Sequence, residues 1–217
     1  MDSISLDIDN KIINIFSSES LDKILKSLNL DSCYELKQIH SAIPYIVDEH
    51  YINNQEGDAL ITNIPNKPII IKVADCIPIL LYDEKRKVIA VVHSGWKGTL
   101  DNIVGNTINM MKEKFKSQPL NINAYIYPSI RNCHFEIEKD VYSLFENKIK
   151  NIDKYTIYKG QKYYIDLQSI IKDELNKLGI IRIIDTNICT YCNHEKYHSY
   201  RYNHTDKRNI LLTMIKE

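Results

Sequence analysis

The sequence predicts one domain of mixed helix and strand, in the α+β or layered α/β class. Short apolar runs typical of strands alternate with longer amphipathic runs typical of helices. No internal repeat, low-complexity segment or linker rich in Pro, Gly or Ser divides the 217 residues, so we expect a single domain over 1–217. A chain of this length is ample for a substantial core.

The first half of the chain is predicted to contribute one helix and a set of buried strands. Residues 18–30 are expected to form the helix, because Leu and Ile recur on one helical face and Ser18 is a favoured capping residue. Three runs rich in Ile and Val are typical of strands: 69–73, 77–82 and 88–92. Because these runs are almost continuously apolar, we expect their sheet to be covered on both faces.

The second half is predicted to alternate between helix and strand. Residues 99–115 are expected to form one long amphipathic helix. Shorter elements follow in order: a strand near 122–127, a helix around 139–149, a hairpin over 155–166 that turns at 159–161, a helix over 167–178, and strands at 181–188 and 210–215. Gly179 follows the last of these helices, where a residue with free access to positive φ favours helix termination.

Composition and charge exclude several kinds of partner. Lys plus Arg and Asp plus Glu both number 28, so the net charge is zero and neither nucleic acid nor an anionic membrane surface is expected to bind. Residues 1–7 have neither the basic nor the apolar region of a signal peptide, and no apolar run reaches the ~20 residues that span a bilayer. The five cysteines favour reduced thiols or metal ligands over disulfides. We therefore expect a cytoplasmic protein, either a monomer or a weak homo-oligomer.

Reactive side chains cluster at the ends of predicted strands, in three stretches: 37–41, 74–78 and 93–98. Taken singly, His40, Cys76 and His93 each fit an ordinary structural role, such as a small core residue or a hydrogen-bonded histidine. Taken together, two imidazoles and one thiolate form a ligand set suited to zinc, or to copper. Three protein ligands leave a fourth position open, as in catalytic zinc sites. The sequence therefore predicts a mononuclear metal site.

The same residues fit two other interpretations. Cys76 would act as the nucleophile of a cysteine hydrolase, with His93 as its base and Asp75 beside it. A metal- or nucleoside-binding module without catalysis is the third interpretation. The residues alone do not separate these alternatives.

A second group of reactive residues lies further along the sequence. Cys189 and Cys192 form a Cys-x-x-Cys pair followed by His194 and His198, but this compressed spacing is a weak match to structural zinc patterns. The basic stretch 201–208 fits an anion pocket, because guanidinium groups match phosphate geometry. A solvated basic surface is the alternative.

A series of short stretches matches one known family. The most specific are Gln-Ile-His at 38–40, Gly-Asp-Ala-Leu-Ile-Thr at 57–62, Ala-Asp-Cys-Ile-Pro at 74–78 and His-Ser-Gly-Trp-Lys-Gly at 93–98. Later matches lie at 128–130, 135–137, 166–167, 189–190 and 199–201. Together they resemble the YfiH family, also called multicopper polyphenol oxidase or laccase-domain proteins, which includes the purine-processing FAMIN enzymes. The resemblance covers roughly residues 34–217, in the family's order.

The resemblance implies a fold, a metal and an activity. The implied fold is a layered α/β/β/α sandwich with mixed sheets, and the implied metal, usually zinc, falls on His40, Cys76 and His93. The implied activity is phosphorolysis of purine nucleosides (adenosine, inosine, guanosine and methylthioadenosine), with deamination of adenosine as a second reaction. Some members were described as copper-dependent polyphenol oxidases, and some bacterial relatives are linked to editing of peptidoglycan precursors. A multicopper laccase would require more ligands than one His, Cys and His set.

These reactions assign roles to particular residues. Deamination requires an activated water and a proton shuttle, which the metal and Asp75 would provide, with Cys76 and His93 completing the catalytic set. Phosphorolysis requires a bound phosphate and a stabilised leaving purine. Four cations are candidates for the phosphate: Lys97, Arg131, Arg201 and Arg208. Trp96 is a candidate to stack on the purine base.

The chain departs from the family pattern mainly on the phosphate and purine side. No counterpart of the family's N-terminal Thr-x-Arg-x-Gly-Gly segment precedes Tyr34. Tyr127 stands where the family has Gly, Phe135 where it has Tyr, and Tyr202 where it has a second Arg. The family's Thr-Gly-Arg is reduced to Thr-Asp-Lys-Arg at 205–208. Since the ligand triplet is intact, we expect differences in the substrate contacts rather than at the metal site.

Overall fold

Two β-sheets stacked face to face form the centre of the molecule. The computed structural model describes residues 3–217. Its strands are β1 (Ser3–Ile4), β2 (Ile12–Ser17), β3 (Pro44–Ile46), β4 (Ala59–Thr62), β5 (Ile69–Val73), β6 (Ile77–Asp83), β7 (Val88–Ser94), β8 (Ile122–Ile126), β9 (Glu136–Ile137), β10 (Thr156–Lys159), β11 (Lys162–Ile165), β12 (Arg182–Asp185) and β13 (Asn209–Ile215). Its helices are α1 (Leu21–Ser27), α2 (Trp96–Leu100), α3 (Ile103–Phe115), α4 (Lys139–Lys148), α5 (Leu167–Lys177) and α6 (Tyr200–Asn203), with short 3-10 turns at Pro119–Asn121 and Ile152–Tyr155. No helix in this described part of the chain is long and apolar enough to cross a membrane.

The larger sheet has six strands in the order β12-β8-β6-β7-β4-β3. Its central strands are antiparallel, whereas the outer pairs β12–β8 and β3–β4 are parallel, so the sheet is mixed. The second sheet, β1-β2-β13-β5, is antiparallel throughout, and a small third sheet has the order β10-β11-β9. Every residue of β6 and β7 is buried, which confirms that the apolar strands are covered on both faces.

Side chains of β6 alternate between two cores, because successive residues of a strand point to opposite faces. Ile79 and Leu81 pack in the core shared with α3 and α5, whereas Leu80 and Tyr82 pack against the four-stranded sheet. On the far side of that sheet, Ile70 packs against α1. The layers therefore run from α1 through the two sheets to α3 and α5. This order confirms the predicted α+β class and the α/β/β/α sandwich.

The helix predicted over 99–115 is instead two helices, α2 and α3. The break lies at Asn102, which has a φ of 60° in the left-handed region and whose side chain accepts a hydrogen bond from the backbone N–H of Gly105 at 3.0 Å. Asn is among the few residues that tolerate this conformation and also cap a helix N-terminus. The apolar periodicity passes through this break unchanged, so the pattern alone does not reveal it.

The predicted helix over 18–30 is shorter in the structure, and Ser20 rather than Ser18 occupies its N-cap position, without a side-chain hydrogen bond to the helix. Ser17 is still paired with Ile210 in the four-stranded sheet, so the chain is extended just before Ser18. The predicted hairpin turn at 159–161 is confirmed, and Gly179, with a φ of 89°, follows α5 as expected.

Strand β2 escapes prediction because a polar residue interrupts its buried face. Asn14 is 2% exposed and lies between the buried Ile12 and Phe16. Its side-chain oxygen accepts hydrogen bonds from the Leu6 backbone N–H at 2.8 Å and from the Tyr127 hydroxyl at 2.7 Å. A buried amide with these partners costs little, although the sequence shows only a broken apolar run.

The Asn102 break leads to a stability prediction. Asn102→Ala removes the cap on α3 and places a Cβ-bearing residue with no local hydrogen bond in the left-handed region, so we expect a loss of about 2 kcal/mol of unfolding free energy. Asn102→Gly keeps access to positive φ and should cost only a few tenths of a kcal/mol. Urea unfolding followed by circular dichroism measures both variants. Equal losses in the two variants would contradict the role given to the backbone conformation.

Candidate metal centre and adjoining cleft

His40, Cys76 and His93 meet at one end of the six-stranded sheet. In the antiparallel pair β6–β7, Pro78 pairs with His93, so Cys76, just before β6, lies beside the end of β7. His40 reaches the same point from the loop before β3, with its Nε2 3.8 Å from the Sγ of Cys76. The ligand atoms of the three residues all lie within 4.8 Å of one another. The structure therefore brings the three donor side chains together as a triad.

A buried carboxylate, that of Asp58, orients both histidine segments. Asp58 directly precedes β4, which pairs with β7, and is 0% exposed. Its Oδ1 lies 2.7 Å from Nδ1 of His93 and accepts a hydrogen bond from the His40 backbone N–H at 3.1 Å. Its Oδ2 accepts bonds from the backbone N–H and the hydroxyl of Ser41, at 2.5 and 2.7 Å. Because Nδ1 of His93 is engaged by Asp58, Nε2 is the nitrogen left to bind a metal.

Room for the triad depends on Gly95 and on the backbone at His40. A Cβ at position 95 would lie 2.9 Å from Cδ2 of His40 and 3.1 Å from Sγ of Cys76, so any side chain there would crowd the ligands. His40 has a φ of 59°, in the left-handed region that costs a residue with a Cβ about 1 kcal/mol or more. The hydrogen bonds that Asp58 accepts from the backbone of His40 and Ser41 hold this conformation.

The charges within the site favour a thiolate at Cys76. Burial alone would raise the pKa of Cys76, but the neighbouring His93 and His40 lower it to about 6. Burial likewise opposes a charged His93, whereas Cys76 and Asp58 raise its pKa to about 9. The pKa of Asp58 is held below its usual value because hydrogen bonds from His93 and Ser41 outweigh its burial. At neutral pH the thiol is therefore in the anionic form that binds metals.

The donors of the triad fit a borderline transition-metal ion. One thiolate and two imidazoles bind zinc, and also copper. The carboxylate behind His93 is the kind of outer partner that metal-binding histidines usually have. Three protein donors leave a position for a further ligand. The triad is therefore a candidate metal centre, and its donors do not select between the two metals.

A cavity of about 560 Å³ adjoins the triad, which forms part of its wall. Aromatic and apolar side chains line much of the cavity, among them Trp96, Phe135 and Leu167. Cationic side chains also line it: Lys72, Arg201 and Arg208. A wall that combines flat apolar groups with a few cations suits a ligand with a ring and an anionic group.

Trp96, Arg201 and Arg208 line this cavity, whereas two other predicted substrate residues lie outside its wall. Lys97 is exposed, with its Nζ above the Trp96 ring at 5.5 Å from the centroid. Arg131 is 9% exposed and forms a two-pronged ion pair with Asp185, in which Nη1 lies 2.9 Å from Oδ2. The prediction that Arg131 binds phosphate does not fit this geometry, because a buried carboxylate already neutralises its charge.

Asp75, predicted as a proton shuttle, has a different set of partners in the structure. Its Oδ1 accepts a hydrogen bond from the Thr190 hydroxyl at 2.6 Å, and its Oδ2 accepts one from the backbone N–H of Arg201 at 2.7 Å. The guanidinium of Arg201 in turn donates from Nη1 to the carbonyl oxygens of His134 and Glu136, both at 3.1 Å. Asp75 therefore positions the segment that carries Arg201.

Asp58 and Gln38 support the site in ways that the sequence alone did not reveal. Gln38 donates to the Lys72 carbonyl at 2.9 Å and accepts from the Lys72 N–H at 2.8 Å, which fastens the His40 loop to β5. The position of Asp58 could have indicated its role, because a carboxylate at the start of the buried run 59–62 needs a hydrogen-bonding partner. Gln38 offers no such signal, because an amide in a polar loop is ordinary.

The two histidines that follow Cys189 and Cys192 in the sequence, His194 and His198, have other partners in the structure. The His194 ring stacks on Tyr202, with centroids 3.6 Å apart, and Nε2 of His198 lies 3.0 Å from the Ser18 carbonyl oxygen. A zinc site made of this Cys-x-x-Cys pair and these two histidines, which the spacing matched only weakly, is therefore not formed.

Comparisons with known proteins agree on one family. The family model described as multi-copper polyphenol oxidoreductase laccase matches residues 18–216. A purine nucleoside phosphorylase of Clostridium acetobutylicum is 41% identical over 195 residues, which cover 87% of this chain and 80% of the relative. One of Rickettsia prowazekii is 34% identical over 168 residues, 76% of this chain and 69% of the relative. The crystal structure of Bacillus licheniformis hypothetical protein YfiH superposes with a TM-score of 0.91 at 22% identity, covering 99% of this chain and 96% of that one, so the two share a fold.

The geometry around Asp58 gives a metal-affinity prediction. Asp58→Asn weakens the bond that orients His93, and we expect the affinity of the triad for zinc to fall roughly 10- to 100-fold. Competition with a chromogenic chelator measures this affinity. Asp185→Asn is the matched control, because it also disrupts a buried ion pair but leaves the triad intact, and it should lower stability without changing zinc affinity at the triad. Unchanged affinity in Asp58→Asn would contradict the orienting role.

Proposed function

The chain belongs to the multi-copper polyphenol oxidoreductase laccase family, and we propose that it is a metal-dependent purine nucleoside phosphorylase. The proposed substrates are adenosine, inosine, guanosine and methylthioadenosine together with inorganic phosphate. The observation that carries the proposal is a triad of metal-type donors in the wall of a cavity lined by aromatic and cationic side chains. The names of the two relatives described above support the same activity.

Phosphorolysis sets three requirements for the cavity. A phosphate oxygen forms a bond to C1′ of the ribose while the bond from C1′ to N9 of the purine breaks, which gives ribose 1-phosphate and the free base. The phosphate must be held in line with the breaking bond, and the purine must be supported as negative charge develops on it. The cavity must also limit access of water, which would compete with phosphate.

We assign the phosphate to Arg201 and Arg208 and the purine to Trp96 and Phe135. Guanidinium groups form paired, charge-assisted hydrogen bonds with phosphate oxygens. Trp96 and Phe135 present flat apolar surfaces to the cavity, which suits a purine ring. Asp75 supports this arrangement as a positioning residue, because it binds the backbone of Arg201.

His40, Cys76 and His93 would hold the metal, which we propose to be zinc. When bound, such an ion supplies a Lewis acid beside the substrate. Asp58 engages Nδ1 of His93, which leaves Nε2 available to the metal, and the absence of a side chain at Gly95 leaves room for His40 and Cys76. Deamination of adenosine is a second reaction proposed for the same cavity.

A cysteine hydrolase is the second candidate, because the lowered pKa of Cys76 beside His93 also suits a nucleophile. The two candidates predict different states of the thiol. A metalloenzyme should be purified with metal at the triad and should resist alkylation of Cys76 until a chelator is added. A hydrolase should have no metal at the triad, and its Cys76 should react rapidly with iodoacetamide.

The activity itself is tested by incubating the protein with adenosine, with and without phosphate, and separating the products by chromatography. We expect adenine and ribose 1-phosphate only when phosphate is present, and inosine if deamination also occurs. Cys76→Ala should abolish turnover and lower the metal content. Full turnover with retained metal in this variant would exclude the triad as the reacting centre.

The phosphate assignment is tested at Arg208. Arg208→Ala removes charge-assisted hydrogen bonds worth about 1.5–3 kcal/mol, so we expect the KM for phosphate to rise roughly tenfold or more, with a smaller change in the KM for adenosine. Arg182→Ala is the matched control, because Arg182 is exposed and pairs with Glu84 at the opposite end of β6. Equal effects of the two substitutions would argue against a phosphate contact at Arg208.

A further inference from the structure

A second set of metal-type donors is formed by Cys133, His134, Cys189 and Cys192, here named the Cys3His cluster. Cys133 and His134 lie in the loop between β8 and β9, and the other two lie in the loop after β12. The Sγ atoms of Cys133 and Cys192 are 3.8 Å apart, and Nδ1 of His134 lies 3.2 Å from the first and 3.3 Å from the second. All four ligand atoms lie within 4.8 Å of one another. The cluster shares no residue with the triad.

These distances match a tetrahedral zinc site. With zinc–sulfur bonds of about 2.3 Å, two thiolates on a tetrahedral ion are ~3.8 Å apart, which is the separation of Cys133 and Cys192. The sulfur–nitrogen distances are slightly below the ~3.5 Å expected for a thiolate and an imidazole on one ion. Three cysteines and one histidine are one of the common ligand sets of structural zinc, in which no position is left open.

We propose that Cys133, His134, Cys189 and Cys192 bind one structural zinc ion. The two loops that supply these ligands already meet through backbone hydrogen bonds, from Ser129 N–H to the Ile188 carbonyl and from Thr190 N–H to the Ser129 carbonyl. The ion fastens these loops at a second point, close to where they contribute to the cavity wall.

The loops joined by the cluster carry groups that shape the cleft. Phe135 follows His134 directly and lines the cavity, and the His134 carbonyl accepts a hydrogen bond from Arg201. Thr190, between the two cysteines of the second loop, donates to Asp75. Zinc in the Cys3His cluster would therefore stabilise one wall of the cleft without touching its ligand.

A disulfide between Cys133 and Cys192 is the main competing explanation for their proximity. That bond requires the sulfurs to approach to about 2.05 Å, well below their 3.8 Å separation. It would also leave the convergence of His134 Nδ1 and the Cys189 sulfur unexplained. A metal accounts for all four groups.

The test counts metal ions in the reduced full-length protein after zinc addition and removal of excess zinc by gel filtration. We expect Cys192→Ser to lose one ion per chain relative to the wild type, with affinity at that position reduced more than ~100-fold, beyond the usual effect of an outer-shell partner. Cys76→Ser should retain the ion in the Cys3His cluster. Cys33→Ser and His194→Ala are matched controls that should leave the count unchanged.

The outcome separates this proposal from the proposed metal at the triad. If the wild type holds one ion that Cys192→Ser loses and Cys76→Ser keeps, the cluster binds zinc and the triad does not. If Cys76→Ser loses the ion and Cys192→Ser keeps it, the proposal of the second site is overturned.

A measurement without substitutions in the cluster guards against misfolded variants. Cobalt added to the reduced Cys76→Ser protein should give the thiolate-to-cobalt absorption of a tetrahedral site with three thiolates, because intensity scales with the number of coordinated sulfurs. Absence of that absorption, or a Cys133–Cys192 disulfide with no bound metal in the protein purified without reductant, would overturn the proposal.

Discussion

The hydrogen bond between the buried carboxylate of Asp58 and the imidazole of His93 is the interaction on which the candidate metal centre depends. A carboxylate with 0% exposure is tolerated only if its oxygens are satisfied, because an unpaired buried charge costs several kcal/mol. Here the partners are His93 and the backbone N–H groups of His40 and Ser41. One carboxylate therefore fixes two of the three donors of the triad, and a shift of either histidine segment removes hydrogen bonds from that buried charge.

The sheet supplies the rigidity that this arrangement needs. Cys76 and His93 lie at the ends of neighbouring antiparallel strands that are covered on both faces, so their separation is set by strand pairing rather than by loop conformation. Two residues at the site have left-handed backbone conformations, with φ values of 59° at His40 and 85° at Asp75. Such conformations persist only where surrounding contacts enforce them, as the bonds to Asp58, Thr190 and Arg201 do here.

The sequence predicted those parts of the fold whose signal is local. The runs that became β5, β6 and β7 are continuous and apolar, and two donors of the triad, Cys76 and His93, lie at the ends of these strands. What escaped prediction depends on contacts between distant segments, as with Asn14, whose burial is explained only by partners at Leu6 and Tyr127. The split at Asn102 escaped prediction for a different, local reason, because one side-chain cap overrides an unbroken helical periodicity.

The Cys3His cluster shows this limit most clearly. The Cys-x-x-Cys pair was visible, but the nearby histidines in the sequence were the wrong partners, because the loop between β8 and β9 reaches the pair only in the folded chain. Similarly, Arg131 has the chemistry of a phosphate ligand, and only the fold reveals that its guanidinium group is already paired with the carboxylate of Asp185. Spacing identifies ligands that are close in sequence, whereas these sites are assembled across more than fifty residues.

The position of β13 within the four-stranded sheet also bears on how the chain folds during synthesis. β13 lies between β2 and β5 and pairs with both, so that sheet is incomplete until residue 215 has left the ribosome. The hairpin β6–β7 needs only local contacts and can form earlier. Until β13 inserts, the apolar face that carries Leu80 and Tyr82 lacks the part of its cover that β13 contributes, and the nascent chain exposes a sheet surface prone to aggregation.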